Sequence, residues 1–388
     1  MVKKMKTIIN VIRKELMLSL AVAAALISLI ITPPGKETFA KIDWRTLGTL
    51  FMMLTVLETF KEERIFRPIM MFSRRFRTMR SLSMFLVFGV FFTSMFVTND
   101  VSLLIFVPLT ITLFRYAEKE HYILPVITFE NIAAIRGSLL MPFGSPQNLF
   151  IYSRSGVSAQ KFILHMSPLF LMSAALLIVF IFLLYRKDPS ESALAKHRSE
   201  QEDFAQPLRK DRAIYRRVYV ALFGVVLATI VTRTEYWPYV TAFVTLTVLC
   251  MDRKIFRKTD YVLLLTFLCF FVFSSSITEN PAIANMLKGA VSENEYWWGI
   301  LLSQVISNVP ASIVLFPFST NVAGLLYGVD TAGLCSIIGS LASVINYRIY
   351  VREYPGKGKD FLKVFTGLSL LFFAFVVLPG FFISRWRF

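Results

Sequence analysis

Apolar residues fall in long uninterrupted blocks along this chain, with neither the strict alternation of strands nor the one-sided stripe of a soluble helix. Continuous runs cover 16–31, 45–60, 163–185, 215–232, 237–251, 261–277 and 361–384. Blocks of this kind predict helices whose whole circumference is apolar, as a bilayer requires. Two further runs, 122–152 and 331–349, are broken, and runs 81–116 and 295–327 each carry a polar interruption at their centre. The first central break is Thr98-Asn99-Asp100 and the second is Ser307-Asn308-Val309-Pro310. Each half of these two runs is about 14–17 residues long, or roughly 21–26 Å of helix, against roughly 30 Å of hydrocarbon. The pattern therefore predicts two re-entrant hairpins, 81–116 and 295–327, and two broken membrane helices, 122–152 and 331–349.

The two halves of the chain echo one another. Asp43-Trp44-Arg45-Thr46-Leu47 opens one apolar run and Asp260-Tyr261-Val262-Leu263-Leu264 opens its counterpart. Each is followed by a hairpin with Asn at its tip, and each hairpin by a helix broken at Gly-Ser. Gly144-Ser145-Pro146-Gln147-Asn148 through Tyr152 aligns with Gly339-Ser340-Leu341-Ala342-Ser343 through Tyr347 in frame at the Gly, the Ser and the Tyr. Opposite orientation of the two Asp-led helices makes the repeat inverted, an arrangement used by secondary transporters. The expected fold class is an all-α polytopic membrane protein. A first repeat spans 1–185, a polar cytoplasmic linker 186–213 and a second repeat 214–388.

Charge sets the expected orientation. The 388 residues hold 42 Lys and Arg against 25 Asp and Glu. A basic excess can mark a nucleic-acid partner. Placing the N-terminus inside, however, puts 32 of the 42 basic residues in cytoplasmic segments, 9 in external ones and Arg136 inside a membrane run. This bias is the positive-inside pattern, and it removes the need for nucleic acid. It predicts a cytoplasmic-membrane protein with its N-terminus inside and its C-terminus outside. Trp44, Trp237, Trp297, Trp298 and Trp386 fall near the expected outer interface. No A-x-A cleavage site follows the first run, which is read as a retained span. Cys250, Cys269 and Cys335 lie in apolar runs at no metal-ligand spacing and read as packing residues, and the three scattered His make no zinc or haem site. No phosphate-binding loop occurs, since Gly356-Lys357-Gly358-Lys359 lacks the required spacing. Gly324 and Gly328 have G-x-x-x-G spacing and read as closing the second hairpin.

The breaks carry the chemistry. Irregular backbone at membrane depth survives only inside protein or along a polar cavity. Gly144-Ser145-Pro146 reads as a helix stop, an N-cap and a proline at the first helical turn, and Ser307-Asn308-Val309-Pro310 reads the same way. Helices then restart near 100, 146, 310 and 341. Their N-termini suit an anion, and the carbonyls ending the preceding half-helices suit a cation. Candidate substrate- or ion-binding residues are Thr98, Asn99, Asp100, Arg136, Gly144, Ser145, Gln147, Asn148, Ser307, Asn308, Val309, Gly339, Ser340 and Ser343. Asn99, Asp100, Gly144, Asn308 and Gly339 are the candidate ligands of a coupling cation, sodium or a proton, and no other cofactor is expected. Asn99 and Asn308 read as ligands or as caps, and Asp100 as an ion-coupling group or a structural partner. Glu130 and Arg136, six residues apart on one helix, point roughly 120° apart, so Arg136 calls for another anion, either Asp100 or the substrate.

These residues resemble the ion transporter superfamily of arsenite permeases, D-type sodium/proton antiporters and divalent anion:sodium symporters with citrate-transporter-like domains. The resemblance rests on Phe96 to Leu103, Gly137 to Leu149 and Ser307 to Ser312, and extends over the chain outside the linker. The Asn-Asp pair and the Asn-x-Pro tip look like the arsenite-permease side, whereas the dicarboxylate symporters carry Ser-Asn-Thr at both tips. The resemblance implies a scaffold and a mobile unit that holds the hairpins and broken helices. For the symporter branch it implies homodimers with elevator-like motion. Ion-coupled transport of a small anion or oxyanion is the leading expectation. The alternatives are a cation/proton antiporter using Asp100 and Glu130, and an intramembrane enzyme, for which no nucleophile–base or metal constellation is found.

Overall fold

The computed structural model describes residues 16–33, 42–65, 72, 75–187, 212–386 and 388. The basic N-terminal segment and nearly all of the 186–213 linker lie outside the described residues. Among these there are sixteen α-helices. In chain order they are α1 Leu16–Ile31, α2 Trp44–Glu62, α3 Met79–Val97, α4 Asn99–Tyr116, α5 Ile123–Ser138, α6 Pro146–Ser155, α7 Ala159–Leu184 and α8 Ala213–Thr232. The second half has α9 Trp237–Met251, α10 Tyr261–Glu279, α11 Pro281–Val291, α12 Glu295–Ile306, α13 Asn308–Leu315, α14 Val322–Ala332, α15 Leu341–Glu353 and α16 Gly358–Ser384. Six of them, α3, α4, α7, α8, α10 and α16, are long and apolar enough to cross a membrane. The chain is a polytopic helical membrane protein.

Corresponding parts of the two halves share local geometry. Asp43 caps α2 by accepting from the Thr46 amide at 3.0 Å, and Asp260 caps α10 by accepting from the Leu263 amide at 3.0 Å. Their backbone angles nearly coincide, at φ −82°, ψ 80° and φ −77°, ψ 84°. A single residue joins α3 to α4, and the two helices fold back on one another. Thr93 Oγ1 lies 3.0 Å from Ser102 Oγ across the turn, and a Cβ on Gly89 would press on the Phe106 ring. Each hairpin then receives the next helix at close range through a glycine. A Cβ on Gly137 of α5 would come 1.9 Å from the Phe91 carbonyl of α3, and one on Gly328 of α14 would come 2.3 Å from the Tyr296 carbonyl of α12. Gly328 thus serves contact within the chain.

Three expected boundaries move. The α3 and α4 arms have 19 and 18 residues, about 28 and 27 Å, longer than their apolar positions alone suggest. The Thr78–Ser81 capping box starts α3 before the apolar run does. The second hairpin ends with α13, and residues 322–327, expected in its returning arm, belong to Val322–Ala332, the first half of the second broken helix. That helix therefore runs from 322 to 353, with its break at 333–340. The helix α11 was not anticipated; of its residues only Val291 is buried. Cys250 is exposed and does not pack in the interior.

Ion pairs fall into two groups that correspond to the two predicted sides of the membrane. On the basic side Arg212 reaches Glu63 at 2.9 Å and Asp252 at 3.4 Å, Lys258 reaches Glu62 at 2.5 Å, and Arg115 reaches Glu353 at 3.1 Å. On the other side Arg154 pairs with Asp43 at 2.9 Å and Arg45 pairs with Glu235.

Close helix contact through Gly137 leads to a stability prediction. Gly137→Ala is expected to lower thermal stability in detergent by about 1–3 kcal/mol through overpacking. Gly224→Ala, where an added Cβ meets nothing within 4 Å, is expected to leave stability unchanged or raise it. Equal melting of the two variants would contradict the packing described.

Candidate functional site

The tips of both hairpins are strained in the same way. Thr98 has φ 72°, ψ 155° and Ser307 has φ 70°, ψ 159°. This region is essentially reserved for glycine, and a residue held there costs about 1–3 kcal/mol. Neither tip hydroxyl caps the helix that follows. Ser307 therefore occupies an N-cap position without the side-chain bond expected of it. Asn99 Oδ1 instead accepts from the Asp100 amide at 3.0 Å, and the Asn308 amide donates to the Gly339 carbonyl at 3.2 Å. The second tip is thus tied directly to the second break.

Both breaks are built around Gly-Ser. A Cβ on Gly144 would sit 2.1 Å from the Ser138 carbonyl, and one on Gly339 would sit 2.4 Å from the Ala332 carbonyl, so only glycine lets the chain turn this tightly. Ser145 caps α6 by accepting from the Asn148 amide at 3.4 Å, with Pro146 at the first helical position. Ser340 holds the same place before α15 with no side-chain cap bond. The four restarts observed are Asn99, Pro146, Asn308 and Leu341.

The helices that leave the tips cross between the halves. α4 packs on α15, the restarted helix of the second break, and α13 packs on α6, the restarted helix of the first. Asn131 of α5 donates to Ser343 Oγ of α15 at 3.0 Å. A cavity of about 120 Å³ opens between the first tip, the first break and the ends of α2 and α10. Thr98, Asp100, Phe143, Ser145 and Pro146 line one wall, and Leu54, Glu58, Lys61, Lys258 and Asp260 line the other. Asp100 Oδ1 is buried there without a hydrogen-bond partner among the described residues.

Arg136 does not pair with Asp100. Its Nε donates to Ser173 Oγ at 3.0 Å and its Nη1 to the Asp330 carbonyl at 3.4 Å. Asp330 lies in α14, and its Oδ1 accepts from Gln147 Nε2 at 3.0 Å. Asn148 turns to its own break, donating to the Ser138 and Leu139 carbonyls at 3.3 and 3.4 Å. Arg136, Gln147, Asn148 and Asp330 are all buried, and Arg136 Nη2 and Asp330 Oδ2 have no hydrogen-bond partner among the described residues. Glu130 accepts from Thr110 Oγ1 and is likewise buried. Of the remaining candidates, Val309 is buried behind the second tip. The candidates therefore divide into a tip-and-break cavity containing Thr98, Asp100 and Ser145, a bonded pair Asn308–Gly339, and a polar cluster gathered on Asp330.

Asp330 and Asn131 escaped the sequence reading. The frame that sets Gly339 on Gly144 also sets Thr331 on Arg136, so it places Asp330 beside the position of the one basic residue inside the membrane. That repeat frame held the signal.

The profile of the citrate transporter family matches residues 7–345. The chain belongs to this family. It is thereby a member of the ion transporter superfamily. The chain is 35% identical over 321 residues to the inner membrane protein YbiR of Escherichia coli K12, covering 81% of this chain and 82% of that one. It is 27% identical over 317 residues to the uncharacterized transporter MJ0456 of Methanocaldococcus jannaschii, covering 81% and 83%.

The buried cluster yields a double-mutant prediction. Arg136→Gln removes the donor to the Asp330 carbonyl, and Asp330→Asn neutralises the acceptor of Gln147 in the same buried cluster. Each is expected to cost about 1–3 kcal/mol through buried polar groups left unpaired. The double variant should be markedly more stable than the sum of the two losses, as read from a thermal double-mutant cycle. Strict additivity would show that the two groups do not sense one another.

Proposed function

We propose that this citrate-transporter-family protein is an ion-coupled secondary transporter of a small anion, a carboxylate or an oxyanion, at the cytoplasmic (inner) membrane. Its N-terminus faces the cytoplasm and its C-terminus the outside. The observation that carries the reading is the pair of equally strained tips, Thr98 and Ser307, each starting a helix inside the fold next to a Gly-Ser break. Such starts leave amide donors for an anion, and the carbonyl-rich breaks suit sodium. In this reading α3–α4 and α12–α13 are re-entrant hairpins of two inverted repeats. The hairpins, the broken helices, α7 and α16 move as one unit against a scaffold of α1, α2, α8, α9 and α10, in a homodimer. The cavity lined by Lys61, Lys258 and Asp100 is, in the same reading, the cytoplasmic mouth of the site. The family's name makes citrate the first substrate to test.

A second reading, a sodium/proton antiporter, draws support from three carboxylates, the half-buried Asp100 and the buried Glu130 and Asp330, each with a buried oxygen left unpartnered among the described residues. Uptake of labelled citrate, phosphate and arsenite into proteoliposomes under imposed sodium or proton gradients separates the readings. Gradient-driven anion uptake supports the first. Sodium-coupled proton flux with no anion uptake supports the second and overturns the first.

Asn99→Ala and Asn308→Ala are expected to abolish uptake while melting close to the parent protein. If these residues were caps alone, their loss would cost about 0.5–2 kcal/mol of stability and little transport. Asp100→Asn should retain fold and lose the ion or pH dependence. Wild-type uptake by both Asn variants would remove the tips from the site. For orientation, a cysteine at Lys254 should react with an impermeant maleimide only after permeabilisation and one at Trp386 without it; the opposite pattern reverses the topology.

A further inference from the structure

A cavity of about 1070 Å³ lies away from the tips, bounded by α5, α7, α16 and the end of α15. It is sharply divided along its length. Toward the basic side of the protein it is rimmed by Lys357, Lys363, Glu120, Asp360, His121 and Tyr354, and the rest of its wall is mostly Leu, Val, Ile and Phe. Several wall residues open outward to the surrounding membrane: Leu183 is 59% exposed, and Leu371 and Phe375 are each 51% exposed.

We propose that this groove holds one phospholipid with an anionic headgroup, its phosphate at Lys357 and Lys363 and an acyl chain along α16. Length supports this occupant. From Lys363 to Phe375 the helix rises about 18 Å, against about 15 Å for one leaflet of a hydrocarbon core of roughly 30 Å. Charge supports it as well. The two rim carboxylates balance the two lysines in formal charge, but each acidic group at this end already has a partner or a favourable setting within the protein. Glu120 accepts from the Tyr354 hydroxyl at 3.0 Å, Glu353 holds Arg115 at 3.1 Å, and Asp360 sits in the first turn of α16, where the helix dipole favours it. Lys357 and Lys363 form no ion pair among the described residues. Lys357 Nζ stands 5.5 Å above the Tyr354 ring, which holds it at the rim. Two uncommitted ammonium groups at the mouth of an apolar groove are the chemistry that selects a lipid phosphate and its anionic headgroup. Because the groove is walled by α5, α7, α15 and α16, a bound lipid would travel with the helices proposed above to move.

The test uses the full chain purified from membranes in mild detergent. Native mass spectrometry is performed after exchange against mixed micelles of phosphatidylglycerol and phosphatidylethanolamine. One phosphatidylglycerol should be retained in preference to phosphatidylethanolamine. K357Q/K363Q should weaken that retention by roughly 30-fold. Gly367 lines the groove, and a Cβ there meets nothing within 4 Å, so Gly367→Leu should fill the space without disturbing the fold and displace the lipid. Equal retention of the two lipids overturns the proposal, as does retention unchanged in both variants. Efficient disulfide formation between copies carrying Leu371→Cys also overturns it, since that places a second chain on the groove. The readout needs no transport, so it stands apart from any failure of the transport assignment.

Discussion

The constraint on which the structure depends is that no backbone amide or carbonyl can be left bare in hydrocarbon. This chain interrupts its helices at Thr98, at 139–145, at Ser307 and at 333–340. Most residues at these interruptions are buried in protein, and the second break reaches the surface at Ile338. The helices that restart at the tips pack on those that restart at the breaks of the opposite half, α4 on α15 and α13 on α6. The Asn308 amide to the Gly339 carbonyl, and Asn148 to the Ser138 and Leu139 carbonyls, are the local form of the same requirement.

The strain at Thr98 and Ser307 gains meaning in that setting. A glycine at either position would relieve it, yet a hydroxyl residue occupies both. Strain of this kind persists where surrounding packing fixes the conformation, and here Thr98 and Ser307 are both buried. The fold thereby holds two helix starts in place, and under the proposed function this would lower the ordering cost of binding a ligand there. The Arg136–Asp330 cluster braces the region between the breaks from behind, with Gln147 joining α6 to α14.

Much of this was legible in the sequence because blocks of apolar residues and Gly-Ser or Asn punctuation are local signals. The starts at Asn99, Pro146, Asn308 and Leu341 follow from them directly. Lengths were harder. Thr78 and Ser81 extend α3 through a capping box that hydropathy alone does not register. The Gly-Val-Asp-Thr stretch at 328–331 resembles a polar loop, but Gly328 is there to let α14 approach α12, and Asp330 faces the protein interior. The partner of Arg136 was illegible for the same reason: a contact between residues 194 positions apart depends on how the halves cross.

The central claim is that a unit bearing the tips and breaks moves against α2 and its neighbours while each hairpin stays closed. Leu54 of α2 and Leu104 of α4 face the same cavity from its two sides. In a cysteine-free background, Leu54→Cys and Leu104→Cys joined by a short bifunctional maleimide report on that motion. Gly89→Cys and Phe106→Cys, joined within one hairpin, serve as the control. Uptake in proteoliposomes should be abolished by the first cross-link and preserved by the second. Undiminished uptake with Leu54 joined to Leu104 would contradict the account.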